Sequence, residues 1–194
     1  MPRPRQIDDE LLLSAAGSVL AEVGPAQFTL ERAAQRASVS AATYIKRFGS
    51  KKALLVEMNR RWLESIDGDL ADAVATGGTP LERLRAAALW GVQDMDDAGT
   101  AGRQLVALAK DLQDDDLRAQ LADGLARIRA VLETLVSQAV SAGYLPAAPP
   151  PPQAADLLSA LLEGTKITWS VAPTGSLIAR VGRDIDTVLR DWSR

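Results

Sequence analysis

Helical periodicity runs through almost the whole chain, and it constrains the fold more than any other feature. Between Asp9 and Val23 the apolar residues Leu12, Ala15, Ala16, Val19, Leu20 and Val23 recur at spacings of three and four. That is the stripe of an amphipathic helix. Similar stripes return along the chain, while sustained period-two alternation is scarce. Aromatic residues make up only 4%, and the good helix formers Ala, Leu, Arg, Glu and Gln dominate. The pattern predicts an all-α protein of about nine helices. With 47% apolar residues in 194, there is material for a sizeable core, in one domain or two small ones.

Composition removes several function classes. The chain has no cysteine and no histidine. Disulfides, thiolate or imidazole metal sites and His-based catalytic triads are therefore excluded, and no cofactor or metal is expected. No run of about 18 apolar residues is present, so no membrane span is predicted. The opening MPRPRQIDDE places acids where a secretory signal needs an apolar stretch, which predicts a cytoplasmic protein. The net charge of −3 is unevenly spread: residues 1–61 carry +4 and residues 62–194 carry −7. A basic end on an acidic body points to a polyanionic partner at the N-terminal end.

The helix signals fall in a clear order. Acids at Asp8 and Asp9 suit the start of the first helix, and Gly24-Pro25 should stop it. Thr29 offers an N-cap for a short second helix, Leu30 to Ala37. Ser38-Val39 forms a tight turn. Ser40 should cap a third helix that ends near Phe48. Ser50 caps a long fourth helix from Lys51 into the low seventies. Thr79-Pro80 opens a fifth helix running to about Met95. A turn over Asp97 to Thr100 is expected before a sixth, Ala101 to Leu112. The seventh runs from about Asp115 to Ala142. A proline-rich connector, Leu145 to Pro152, leads to helices over about 153–171 and 176–192. The expected organisation is a helix-turn-helix domain at 1–50, a connecting helix at 51–75 and a larger helical domain at 76–194.

Two short helices around a tight turn form a helix-turn-helix pattern. Ala33 and Ala34 allow close helix contact, Val39 plugs the turn and Phe48 anchors the far end. Two ordinary helices of a bundle would read similarly. Residues 11–58, however, resemble the N-terminal domain of TetR-family transcriptional repressors. The matching residues are Ala15-Ala16, Leu20 with Gly24, Phe28-Thr29-Leu30, Ala33 to Ala37, Ser38-Val39-Ser40, Thr43-Tyr44-Ile45, Phe48, and Ser50-Lys51 with Leu54. They cover about a quarter of the chain. The resemblance implies a sequence-specific DNA-binding regulator, a repressor released from a palindromic operator by a small-molecule effector.

The residues expected at the DNA are Thr29, Ser40, Ala41, Ala42, Thr43, Tyr44, Ile45, Lys46, Arg47, Ser50 and Lys51. Thr29 and Ser50 open helices whose free N–H groups favour phosphate. Lys51 matches a family lysine that contacts the backbone. Lys52 is a further backbone candidate or a plain surface lysine. Thr43 is the best base reader, since its methyl meets thymine and its hydroxyl either base type. Arg3 and Arg5, in a Pro-spaced arm, either track a minor groove or remain a free tail. Three departures from the family stand out. Ser38 replaces the glycine of the turn, Ala41 replaces a frequent basic residue, and Tyr44 and Ile45 exchange the family's leucine and tyrosine positions. Tyr44, four residues before Phe48, falls on the core-facing row.

For the larger domain, the resemblance implies a cavity for a small, largely apolar effector. Trp62, Ile66, Trp90, Met95, Leu105, Leu108, Leu125, Ile128, Thr165 and Trp169 are the candidates, with plain core packing as the rival for each. It also implies a homodimer built on the last two helices through Leu157, Leu161, Ile178, Val181, Ile185 and Val188, or else both helices cap their own core. Asp114, Asp115 and Asp116 read as helix-start acids rather than as a metal site. The competing functional classes are a helical carrier or enzyme using the C-terminal cavity, and a ligand-independent architectural DNA-binding protein.

Overall fold

The computed structural model describes residues 8–194, so Arg3 and Arg5 lie outside it. The described residues form helices only: α1 (Asp9–Gln27), α2 (Leu30–Arg36), α3 (Ala41–Phe48), α4 (Lys51–Ala75), α5 (Pro80–Trp90), α6 (Ala98–Asp111), α7 (Asp115–Ser141), α8 (Pro151–Val171) and α9 (Leu177–Trp192). They make two compact units. One holds the residues up to 62 with 103–120; the other holds 63–102 with 121–194. This division departs from boundaries at 50 and 75, because α4, α6 and α7 each contribute to both units.

The first unit has a core of Leu12, Ala16, Val19, Phe28, Ala33, Ala34, Tyr44 and Leu54. α1, α2 and α4 start where the sequence supplies an oxygen. Asp8 accepts from the Glu10 N–H at 3.3 Å, Thr29 from Arg32 at 3.3 Å and Ser50 from Ala53 at 3.0 Å. Gly24-Pro25 does not end α1 but kinks it. Gly24 takes φ +73°, a value open to glycine, and one further turn follows to Gln27.

The second unit is built around Leu70, Leu84, Val92, Leu132, Val136, Leu145, Leu158, Leu177, Val181 and Ile185. Thr79, Pro80 and Glu82 make a capping box with proline in the first turn of α5. That helix stops at Trp90, not at Met95 as periodicity implies. After Gly91 the chain closes turns through Val92 N–H to Leu89 and Met95 N–H to Val92. Val92 and Met95 remain buried, so the apolar spacing outlives the helix that it seemed to mark. α6 starts earlier than expected. Asp97 accepts from both the N–H and the hydroxyl of Thr100, at 2.7 and 2.9 Å, so the expected turn is a helix cap. Asp114 likewise caps α7, accepting from the N–H groups of Asp116 and Leu117. Among the described residues no helix is long and apolar enough to cross a membrane.

Candidate nucleic-acid interface

The turn between α2 and α3 is a Schellman motif. Val39 N–H reaches Ala34 C=O at 2.9 Å and Ser38 N–H reaches Gln35 C=O at 3.2 Å. Ser38 occupies the left-handed position at φ +56°, where glycine is the favoured residue. The turn thus tolerates a side chain at the cost of some backbone strain.

The two faces of α3 are chemically distinct. Tyr44 is fully buried, and Ala41 and Phe48 pack beside it. Ala42, Ile45, Lys46 and Arg47 are exposed, with Thr43 half-buried at their edge. Tyr44 is thereby removed from the expected DNA-facing set. Its hydroxyl donates to Leu12 C=O at 2.7 Å and its ring lies 5.9 Å from that of Phe48. Burial pushes its phenol above the ordinary value. Ile45, by contrast, projects a large apolar side chain into solvent with half of its surface open. Ser40 departs from the expected N-cap as well. It makes no side-chain bond to the helix backbone and instead pairs with the Thr43 hydroxyl at 3.0 Å.

The basic residues divide by partner. Arg47 grips Asp9 through two nitrogens, with Nη2 to Oδ2 at 2.5 Å, tying α3 to the start of α1. This hydrogen bond holds the Asp9 carboxyl below its usual range. Arg36 pairs with Glu22 and donates to Ser18. Lys51 folds back onto the α1–α2 junction, donating to Phe28 C=O at 2.6 Å with its ammonium 5.2 Å from the centre of the Phe28 ring. Burial, then the charge of Lys110, lowers its pKa. Lys52 sits between Asp114 and Asp116, at 2.9 and 2.8 Å. Lys46 and Arg32 are exposed and meet no carboxylate among the described residues. Sequence reasoning missed Arg32; its place in the first turn of α2, three residues after the Thr29 cap, was the available signal.

Residues 12–58 match the model for bacterial regulatory proteins of the tetR family. The match covers the helix-turn-helix segment and leaves the larger helical domain outside it. That segment is of the kind by which tetR-family transcriptional regulators bind DNA. No curated protein matches the chain. A TetR-like fold is shared over 95% of the chain. A TetR transcription regulator from Haloarcula marismortui is 14% identical, with TM-score 0.81 over 95% of this chain and 97% of that one. A putative transcriptional regulator from Saccharomonospora viridis in complex with choline is 18% identical, with TM-score 0.81 over 93% and 94%. The regulator FadR from Bacillus subtilis in complex with stearoyl-CoA is 17% identical, with TM-score 0.71 over 94% and 98%.

The expected effector residues do not form one group. Trp62, Leu105 and Leu108 belong to the first unit and the other seven to the second. Leu125 is exposed. Within the second unit Met95 and Trp169 are buried in the main apolar cluster, with Trp90 and Ile128 packed against it. Ile66 and Thr165 are buried too, and the Thr165 hydroxyl bonds Asp184 at 3.0 Å. The Trp169 indole N–H is buried and meets no protein acceptor.

The expected dimer residues also need correction. Val181 and Ile185 are each 1% exposed and sit in the unit's own core, so they cannot face a partner. Leu161, Ile178 and Val188 are half-buried against that core, and Leu157 is 56% exposed. Leu158, Thr165 and Trp169 form the inward row of α8. Leu157, Ala160, Gly164, Ile167 and Val171 form its outward row.

Proposed function

We propose that the chain is a TetR-family regulator, a cytoplasmic repressor that binds a palindromic operator as a homodimer and is released by a small, largely apolar effector. The observation that carries the DNA contact is the two-sided α3. Its buried row, anchored by Tyr44, fixes the helix in place, which leaves Ala42, Thr43, Ile45 and Lys46 toward the groove. Ala42 and Ile45 offer apolar contact to thymine methyls, Thr43 reads a base edge and Lys46 neutralises a phosphate. Lys51 and Arg47 stand at the same edge, but each has an internal partner that a phosphate must replace or share.

The outward row of α8 supports the dimer. Leu157, Ile167 and Val171 are exposed along one face, with Ala160 and Gly164 between them permitting close approach. The proposed effector contacts are Trp90, Met95, Ile128 and Trp169, neighbours in the apolar cluster of the second unit, with the buried Trp169 N–H as a donor to one oxygen. The structurally similar regulators bound to choline and to stearoyl-CoA support ligand control. Release requires the effector to prefer the form that does not bind DNA, and by linkage operator DNA must weaken effector binding by the same factor.

Duplexes selected from a random pool test this reading. An inverted repeat is expected, with half-sites about one helical turn apart or somewhat more. A single unpaired half-site, or no enriched sequence, contradicts it.

A further inference from the structure

The first unit carries a charge arrangement that DNA binding alone does not explain. Lys52 is the second residue of α4, next to the Ser50 cap and Lys51. In a DNA-binding unit a lysine at that position would add to the positive edge. Here its ammonium is held between two carboxylates, Asp114 at 2.9 Å and Asp116 at 2.8 Å. Both come from the α6–α7 corner, which belongs to the same compact unit. The lysine pKa rises far above its usual value because these two acids hydrogen-bond to it. Asp114 is held in turn by the N–H groups of Asp116 and Leu117, so the acceptor pair is built into the start of α7.

We infer that Asp114 and Asp116 act as an internal competitor for a DNA phosphate, holding Lys52 in reserve. The inference rests on the reading above that the start of α4 lies at the DNA. Exposed ion pairs are individually weak, so the dense phosphate field of a duplex can draw a lysine away from them. Lys52 has a flexible stem and three donors, which suits such an exchange. The exchange has little net benefit. While the acids hold Lys52, the phosphate it would meet keeps its condensed cation, so that contact adds little to counterion release. The acids therefore depress affinity for all duplexes alike, and they flatten its dependence on salt.

The test uses the full chain and a mixed-sequence duplex of about three helical turns, titrated at several salt concentrations. In the double variant Asp114→Asn, Asp116→Asn an asparagine oxygen still caps α7, since Asn and Asp cap comparably. Equal melting temperatures certify the fold. The double variant should bind several-fold more tightly at low salt, with a slope of log affinity on log salt steeper by about 0.9 per bound chain. In a Lys52→Gln background the same acid substitutions should lose that gain. An equal gain with and without Lys52 would show that the acids act only as general negative charge and would overturn the inference. No gain in either background would overturn it as well. Lys46→Gln is carried in parallel. If it weakens binding while the acids show no coupling to Lys52, the competitor alone fails; if it too is silent, the placement of the DNA interface fails with it.

Discussion

Replacing Tyr44 with Phe separates a core tyrosine from a DNA-contacting one. The ring is fully buried between α1 and α2, and its hydroxyl donates 2.7 Å to Leu12 C=O. Phe keeps the ring, its apolar burial and its tilted contact with Phe48. Only the hydrogen bond is lost, worth about 0.5–1.5 kcal/mol net. If the chain unfolds cooperatively, about 1 kcal/mol lowers Tm by about 2–4 °C at this size. Tyr44→Ala removes the ring as well, which for a large aromatic costs about 3–5 kcal/mol, and should unfold the first unit. Differential scanning calorimetry gives the stability, and a fluorescence-anisotropy titration of duplex DNA gives the affinity. The expected result for Tyr44→Phe is a small loss of Tm with DNA affinity unchanged. Unchanged Tm with weakened DNA binding would refute the burial argument, since the hydroxyl would then be serving phosphate.

Three further outcomes follow from the same geometry. Ser38→Gly should raise stability by about 1 kcal/mol, because it relieves a left-handed serine at φ +56° that keeps its Schellman hydrogen bonds; a loss of stability in chemical denaturation would contradict this. Acid should destabilise the first unit. Hydrogen bonds from Arg60 and Arg61 hold Glu57 at about 2, below its ordinary 4.5, so its contribution is complete above pH 4.5 and is lost as pH falls toward 2. Glu57→Gln should flatten the fall of Tm over that window, and an unchanged profile would contradict it. Ile167→Asp with Val171→Asp on the outward row of α8 should give monomers in light scattering, whereas a persistent dimer would place the interface elsewhere.

The fold was legible in the sequence because caps and periodicity agree. Thr29, Ser50, Thr79 and Ser176 each cap the helix that they precede. Errors arose where one residue type serves two purposes. Buried Val92 and Met95 continue a helical spacing through turns, and Asp97 in a polar stretch is a cap rather than part of a turn. The faces of α8 were the least legible, because apolar residues lie on both sides and periodicity does not tell an own core from a surface for a partner. Val181 and Ile185 went astray for the same reason. In the first unit, spacing put Tyr44 on the inward row, where it is fully buried. The partners of Arg47, Lys51 and Lys52 are Asp9, Phe28 and the Asp114–Asp116 pair, each more than twenty positions away in the chain, so no local pattern could show that these cations are already engaged.

The central claim is that the outward row of α3 is the DNA-reading surface. The most direct test is a salt-dependent titration of Lys46→Gln and Thr43→Val against the selected duplex and a scrambled one. Lys46 is exposed and meets no carboxylate among the described residues, so its loss should weaken binding to both duplexes and make the salt slope shallower by about 0.9 per chain. Thr43→Val should instead narrow the preference for the selected duplex by about 1–3 kcal/mol and leave the slope unchanged. Wild-type affinity, slope and preference in both variants, with the fold intact, would contradict the account.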